Sequence, residues 1–300
     1  MNVLVLGGGG QIGRALADRK WPTGIVPIWA GRAQADLAEK GALFAFLERS
    51  APDLIINCAA YTSVDRAEDD RQLAFTVNGE APGWIAAYCR SAGIPLIHFS
   101  TDYVFDGTLD RAYREDDPVS PLGAYGASKA AGEAAIAAAA ADCWILRTAW
   151  VFGPHGGNFV RTMLRAARSN AHLTVVDDQI GTPAPTPAIA AAVLKLVERW
   201  TVGQYAPFGT YHLAGDEPVT WFGLAEAVFD AARTTAPGWP QPDLVPITTD
   251  QWPTKARRPA NSRLDGGKAN AMLGLAPLAW RAALPGIVSD IIEDLRKSTP

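Results

Sequence analysis

The chain reads as an α/β protein: a Rossmann-like, doubly wound parallel sheet with a smaller C-terminal α/β lobe. Three observations predict this. The run Val3-Leu-Val-Leu6 is apolar at every position, the pattern of a strand buried on both faces of a parallel sheet. A glycine-rich segment follows it directly. Apolar runs then alternate with helix-periodic segments as far as about residue 148, as right-handed βαβ crossovers require.

The first strand covers residues 3–6, and a helix is expected over 11–19. A second strand is read at 24–30, a helix at 43–50, and a third buried strand at Asp53-Leu-Ile-Ile-Asn57. Helical periodicity covers 67–77 and 81–92, and Ile94-Pro-Leu-Ile-His-Phe-Ser100 reads as the next strand. A helix over 125–141 leads into the apolar run 143–147. Beyond residue 148 the rhythm changes: proline becomes dense, as at Pro183, Pro185, Pro187, Pro237, Pro240 and Pro242, and strands shorten. The expected division is a dinucleotide-binding domain over 1–150, completed by parts of 184–215, and a mainly substrate-binding lobe over 151–300. No internal repeat stands out.

The chain has 300 residues, 48% hydrophobic and 19% charged, with a formal net charge of −4. It carries no run of lysine and arginine, which argues against a nucleic-acid surface. Cys58, Cys89 and Cys143 fit no zinc spacing, and four scattered histidines form no ligand pair, so no metal site is expected. There is no apolar stretch of about 18 residues, and no basic flank or small-residue cleavage site precedes the first strand. The expectation is a cytoplasmic protein with reduced thiols and no membrane association.

Gly7, Gly10 and Gly13 stand between the first strand and the first helix, which Gln11 and Ile12 open. Glycine there permits a tight turn and lets a pyrophosphate approach the backbone. The second strand ends Ile28-Trp-Ala-Gly-Arg32 with no acidic residue at its tip. An acid would favour NAD, whereas Arg32 suits a 2′-phosphate, so NADPH is favoured and NADH is the alternative. Asp36 and Leu37 follow, near an adenine edge. Ala59, Ala60 and Tyr61 close the third strand, and small residues there admit a cofactor close to the backbone. Asp65, Glu68, Asp69 and Asp70 read as helix-start acids.

Thr101 ends a buried strand, where a hydroxyl points into the ligand crevice of an open sheet. Tyr125 and Lys129 lie four apart, on one face of one helix. A free phenol has a pKa of about 10, and a nearby ammonium favours its phenolate, so the pair is a candidate acid–base unit. Alone this spacing is weak; after a glycine loop and a strand-end hydroxyl it gains weight.

Together these residues resemble the extended short-chain dehydrogenase/reductases. Several further segments resemble the dTDP-4-dehydrorhamnose reductase family within them. They are the stretch Asn57 to Asp65, His98-Phe-Ser-Thr-Asp-Tyr-Val-Phe-Asp-Gly107, Arg147-Thr-Ala-Trp-Val-Phe152, Asn158-Phe159, Val176-Asp-Asp-Gln-Ile-Gly-Thr-Pro183 and the stretch Arg257 to Asp265. The resemblance implies reduction of the C4 ketone of dTDP-4-dehydro-L-rhamnose to dTDP-L-rhamnose, the last step of dTDP-rhamnose biosynthesis. It implies Tyr125 as general acid. Lys129 would bind the nicotinamide ribose and lower the Tyr125 pKa, and Thr101 would bond the carbonyl oxygen. Asp102, Tyr103, Trp150, Asn158, Phe159, Gln179 and Arg257 would lie around the dTDP-sugar and cofactor. The pair Arg257-Arg258 is a candidate for diphosphate or lobe-closing contacts.

Some members of that family carry a glutamate in the first turn after the glycine loop and use it in a magnesium-bridged dimer. Here the stretch is Gly13-Arg-Ala-Leu16, so Mg²⁺ is not expected and the chain should be a monomer or weak homodimer. The rival enzymatic readings are an epimerase, a dehydratase or a ketoreductase of another nucleotide sugar. Dehydratases resemble a Thr-Asp-Glu pattern, and Tyr103 stands where the glutamate would be. A non-catalytic regulatory subunit of the same fold would have lost catalytic residues, yet Thr101, Tyr125 and Lys129 are all present.

Overall fold

A computed structural model describes residues 1–297. Strand β1 (Asn2–Leu6) shows why an all-apolar run suits this architecture. With a side-chain period of two, Val3 and Val5 face one side of the sheet and Leu4 and Leu6 the other, and none of the four is exposed. The chain continues through α1 (Gln11–Ala17), β2 (Val26–Ala30), α2 (Lys40–Ser50) and β3 (Leu54–Asn57). Then come α3 (Arg71–Phe75), α4 (Ala81–Ala92), β4 (Leu96–Thr101), α5 (Ala124–Ala138) and β5 (Cys143–Thr148).

The second part is more broken. It holds β6 (Val151–Phe152), α6 (Phe159–Ala166), β7 (His172–Val176), β8 (Ile180–Gly181), β9 (Ala184–Pro185) and α7 (Thr186–Thr201). It ends with β10 (Gly209–His212), β11 (Val219–Thr220), α8 (Trp221–Thr235), β12 (Asp243–Ile247), β13 (Asn261–Ser262), α9 (Gly267–Leu273) and α10 (Trp280–Lys297).

Six strands form one parallel sheet in the order β10-β5-β4-β3-β1-β2. Chain direction along the sheet reverses between β1 and β3, so a crevice opens at their carboxyl ends. On one face Leu16 of α1 and Ile189, Val193 and Leu196 of α7 pack on Val3, Val5 and Leu54. On the other, Leu43 and Leu47 of α2, Ile85 of α4 and Ile136 of α5 pack on Leu4, Leu6 and Ile55. Truncating one such leucine to alanine costs about 2–5 kcal/mol. Helix α7 and strand β10, both beyond residue 151, lie in this first layer. A separate core joins α6, α8 and α10 through Val160, Leu164, Leu224, Val228, Trp280 and Ile287. No helix among the described residues is long and apolar enough to cross a membrane.

The stretch expected as one helix over 67–77 is not one. A 3₁₀ turn at Arg66–Glu68 precedes α3, and a π turn over Thr76–Glu80 joins α3 to α4. The extra residue of the wider turn carries the buried Asn78 toward the loop after β3, where its amide finds partners. A π turn inside a helix often marks a functional site. The helix expected over 125–141 ends at Ala138, and Ala140 turns into the left-handed region at φ 50°.

Candidate active site

A cleft of ≈ 930 Å³ lies over the carboxyl ends of β1, β3 and β4. That is at the upper end of the roughly 300–1,000 Å³ usual for ligand sites. Gly7, Gly10, Gln11 and Ile12 line it. Gly7 has φ 78°, and a Cβ there would come within 2.6 Å of the Ala59 backbone nitrogen, so only glycine fits. The amides of Gly7 and Gly8 both donate to Ala30 O, at 2.9 and 3.1 Å, which clips the loop to the tip of β2. Gly13 does not line the cleft. A Cβ there would meet Gly7 O at 2.5 Å, so its role is to let α1 sit against the loop.

The facing wall is Ala59, Ala60 and Tyr61. Asn57 Oδ1 accepts from the Ala59 amide at 3.1 Å. Asn78 grips Tyr61 at both backbone atoms: its Oδ1 accepts from Tyr61 N at 2.8 Å and its Nδ2 donates to Tyr61 O at 2.9 Å. The same Nδ2 lies 3.0 Å from Ser128 Oγ on α5. The Tyr61 hydroxyl donates to Asp70 at 2.7 Å. The cleft wall is therefore fixed by protein contacts alone. Arg32, Asp36 and Leu37 line the far end, where Arg32 is 71% exposed and pairs loosely with Asp36 at 3.4 Å.

Thr101, Tyr125 and Lys129 line the opposite end and are buried or nearly so. The Thr101 hydroxyl donates to Asp102 Oδ1 at 2.9 Å and accepts from the Tyr103 amide at 3.2 Å. Tyr103 packs edge-on against Tyr125, ring centroids 5.5 Å apart. Lys129 Nζ donates to Phe99 O at 2.7 Å and lies 3.4 Å from His98 Nε2.

Burial dominates the protonation of this wall. It pushes the Tyr125 phenol up to about 12, with the Thr101 hydroxyl opposing and the Asp102 carboxyl adding. Burial lowers Lys129 to about 8, with Glu133 opposing. It raises Asp102 to about 6, against hydroxyls from Ser262 and Thr101. In the cofactor-free chain burial is the largest influence on the Tyr125 phenol. The lysine is turned toward the Phe99 carbonyl and His98, and desolvation of the phenolate outweighs any help it gives.

Four residues expected around the sugar lie behind or beside the cleft. Asn158 caps α6 by accepting from Arg161 N at 3.0 Å, and its amide reaches Gln11 Oε1 at 3.1 Å. Phe159 packs on Trp221, centroids 4.7 Å apart. Gln179 is buried, donating to Thr249 and accepting from Trp221 Nε1 at 3.2 Å. Arg257 lines a second hollow of ≈ 510 Å³ with Asp106, Thr108, Asp178 and Trp252. Asn158, Phe159 and Gln179 are held by a cap, a stack and side-chain hydrogen bonds that spacing does not disclose, and Arg257 stands at the second hollow.

Trp150 does line the cleft, in the left-handed region at φ 48°. Trp221 stacks flat on it, centroids 3.5 Å apart and 7° between planes, and a Cβ at Gly181 would collide with its indole at 2.4 Å. That backbone state costs about 1–3 kcal/mol, and the surrounding contacts hold it. Arg258 makes two bonds to Asp65, at 2.7 and 3.1 Å, while Ala256 N donates to Asp65 at 3.0 Å and Lys255 pairs with Asp69. Two acids read as helix-start residues thus anchor the segment 255–258 beside the cleft. Sequence reasoning missed Asn78, His98 and Trp221. A polar residue inside an otherwise apolar strand was the available signal for His98.

Sheet, glycine loop and hydroxyl–phenol–amine wall define the class: a short-chain dehydrogenase/reductase on a Rossmann-like fold. Residues 1–292 match the family described as the RmlD substrate binding domain. A dTDP-4-dehydrorhamnose reductase of Aggregatibacter actinomycetemcomitans is 40% identical over 286 residues, 95% of this chain and 97% of that protein. The crystal structure of a dTDP-4-dehydrorhamnose reductase from Clostridium acetobutylicum superposes with a TM-score of 0.88 at 32% identity, covering 99% of this chain and 100% of that one. The Bacillus anthracis dTDP-4-dehydrorhamnose reductase, solved in complex with NADP, gives 0.87 at 29% identity, covering 95% and 98%. The chain belongs to the dTDP-4-dehydrorhamnose reductase family.

Proposed function

We propose that this protein uses NAD(P)H to reduce the C4 ketone of dTDP-4-dehydro-L-rhamnose to dTDP-L-rhamnose. One observation carries the reading: Thr101, Tyr125 and Lys129 share one end of a cleft whose other end is a glycine cradle clipped to the tip of β2. The cradle fits a dinucleotide, since Gly7 and Gly10 leave their backbone open and the wall at 59–61 stands opposite. Gly7, Gly10, Gln11, Ile12, Ala59, Ala60 and Tyr61 would hold the cofactor, with Arg32 at a 2′-phosphate and Lys129 at the nicotinamide ribose. When bound, the nicotinamide supplies hydride to C4.

Tyr125 then gives its proton to the oxygen on C4. A phenol held near 12 stays protonated throughout the neutral range, which suits an acid rather than a base. The alkoxide it meets is the stronger base, so the transfer runs downhill. Thr101 steadies that oxygen once its hydroxyl turns from Asp102, where it points in the bare protein. Trp150, backed by Trp221, forms an apolar wall that keeps water from the reacting carbon. Residues 1–150 would hold the cofactor and the lobe mainly within 151–300 the sugar nucleotide. The proposed setting is the cytoplasm, with Cys58, Cys89 and Cys143 as free thiols.

The test is NADPH oxidation by purified protein with the 4-keto-6-deoxy sugar nucleotide made in situ from dTDP-glucose. Loss of nicotinamide absorbance that depends on this sugar supports the reading. No loss with either NADPH or NADH rejects it.

A further inference from the structure

His98 takes no part in the chemistry above, yet it is fully buried at the centre of β4 with both ring nitrogens in contact. Asn57 Nδ2 lies 3.2 Å from its Nδ1, and Lys129 Nζ lies 3.4 Å from its Nε2. The Asn57 amide has one orientation, because its Oδ1 accepts from the Ala59 backbone. Its NH₂ therefore faces His98, and Nδ1 must be the acceptor. Burial and the nearby Lys129 hold the imidazole neutral, well below its ordinary pKa. A neutral imidazole accepting at Nδ1 carries its proton on Nε2, aimed at Lys129.

An ammonium offers only donors and cannot accept that proton; an uncharged amine can. We infer that His98 is a positioning residue that biases Lys129 toward its uncharged form, so that the lysine titrates during turnover instead of standing as a fixed cation. The alternative arrangement has a structural cost. For Lys129 to donate to Nε2, the imidazole proton must move to Nδ1, Asn57 must turn its oxygen inward, and the Ala59 amide loses its acceptor. The charge on Lys129 is thereby linked to the backbone of the cofactor wall. The other titratable or charged groups around the lysine are Tyr125 and Glu133 on its own helix, Asp102 and Cys58 on the cleft wall, and Arg147 of β5. Arg147 is bound to Glu133 through two bonds, at 2.6 and 2.9 Å, which blunts the carboxylate's pull on Lys129.

The inference rests on the proposed activity only for its kinetic arm, so its first readout uses cofactor-free protein. Lysines carrying ¹³C at Cε are titrated by NMR, with the Lys129 signal assigned by its absence in Lys129→Arg. In His98→Gln the side-chain oxygen can stand near the Nε2 position and accept from the ammonium. The Lys129 midpoint should rise by about one pKa unit, tenfold in the ammonium-to-amine ratio. His98→Asn keeps the Asn57 contact, removes the Nε2 proton, and should move the midpoint the same way. An unchanged or lowered midpoint in both variants overturns the inference. In the kinetic arm, the lysine-dependent limb of the NADPH-oxidation pH profile should move to higher pH by the same amount. A uniform rate loss with the limb in place would mean that His98 only packs. A protein inactive on the sugar nucleotide, but with a moving NMR midpoint, would fail the proposed function and leave the His98 assignment standing.

Discussion

The two ends of the cleft are built on opposite principles. At the reacting end, Thr101, Lys129 and His98 are buried and Tyr125 is partly so, and burial dominates the protonation of the phenol, the amine and the imidazole. At the cofactor mouth and along the segment 255–258, Arg32, Lys255 and Arg258 work at or near the surface through charge pairs. The same charge is worth far less there, because water screens it. On the proposed assignment, chemistry is placed where burial controls it, and cofactor selection where small energies suffice.

The comparison breaks most visibly at Tyr125. In Tyr125→Phe the proton donor is gone and kcat should fall by about 10²–10⁴-fold, while NADPH affinity measured by fluorescence titration stays near wild type. Full kcat in that variant would remove Tyr125 from the chemistry. Gly13→Ala tests the cradle from behind, at a residue that does not itself line the cleft. The new methyl meets the Gly7 carbonyl, and such overpacking costs about 1–3 kcal/mol. Thermal unfolding should show the loss, together with a raised KM for NADPH.

Smaller effects belong to the screened end. Arg258→Ala should cost at most about 1 kcal/mol, because its partner Asp65 is partly exposed. The expected signature is a raised, salt-dependent KM for the sugar nucleotide. Arg258 holds the Asp65 carboxyl below its ordinary value, so the pair stabilises above the unfolded pKa of about 3.9 and is lost as pH falls through the folded value. The gap between wild type and variant should therefore hold down to about pH 4 and close only as pH falls further, through the lowered folded value; a gap that persists well below that range would mean that the contact is not ionic. Smallest of all, Arg32→Ala should lower the NADPH-to-NADH ratio of kcat/KM several-fold with little effect on NADH. An unchanged ratio would take Arg32 out of cofactor selection.

The central strands of the main sheet were legible because burial on both faces favours apolar residues, as at Val3–Leu6 and Leu54–Ile56, whereas the edge strand β10 was not read. The two-residue strands β6, β8, β9, β11 and β13 were not, since two residues carry no period. Within the site, Gly7, Thr101, Tyr125 and Lys129 could be singled out because a glycine loop, a strand-end hydroxyl and a Tyr–Lys pair follow one another along the chain, although each alone is common. Asn78 and Trp221 could not, and His98 showed only as a polar residue within an apolar strand. Their work lies in contacts with Tyr61, Lys129 and Gln179, which only the folded chain brings near. The adjacent pair Arg257 and Arg258 shows the same limit: both line the second hollow, only Arg258 also pairs with Asp65, and nothing in two identical residues says which will.

The π turn at Thr76–Glu80 has a consequence for how this chain tolerates insertions and deletions. Removing one residue from it would let α3 and α4 fuse into an unbroken α-helix with regular hydrogen bonds. It would also rotate everything upstream by about 100° around the helix axis. Leu73 would leave the cleft wall, and Asp70 would leave the Tyr61 hydroxyl. A shorter, more regular helix is therefore incompatible with the contacts that Asp70 and Leu73 make along this wall.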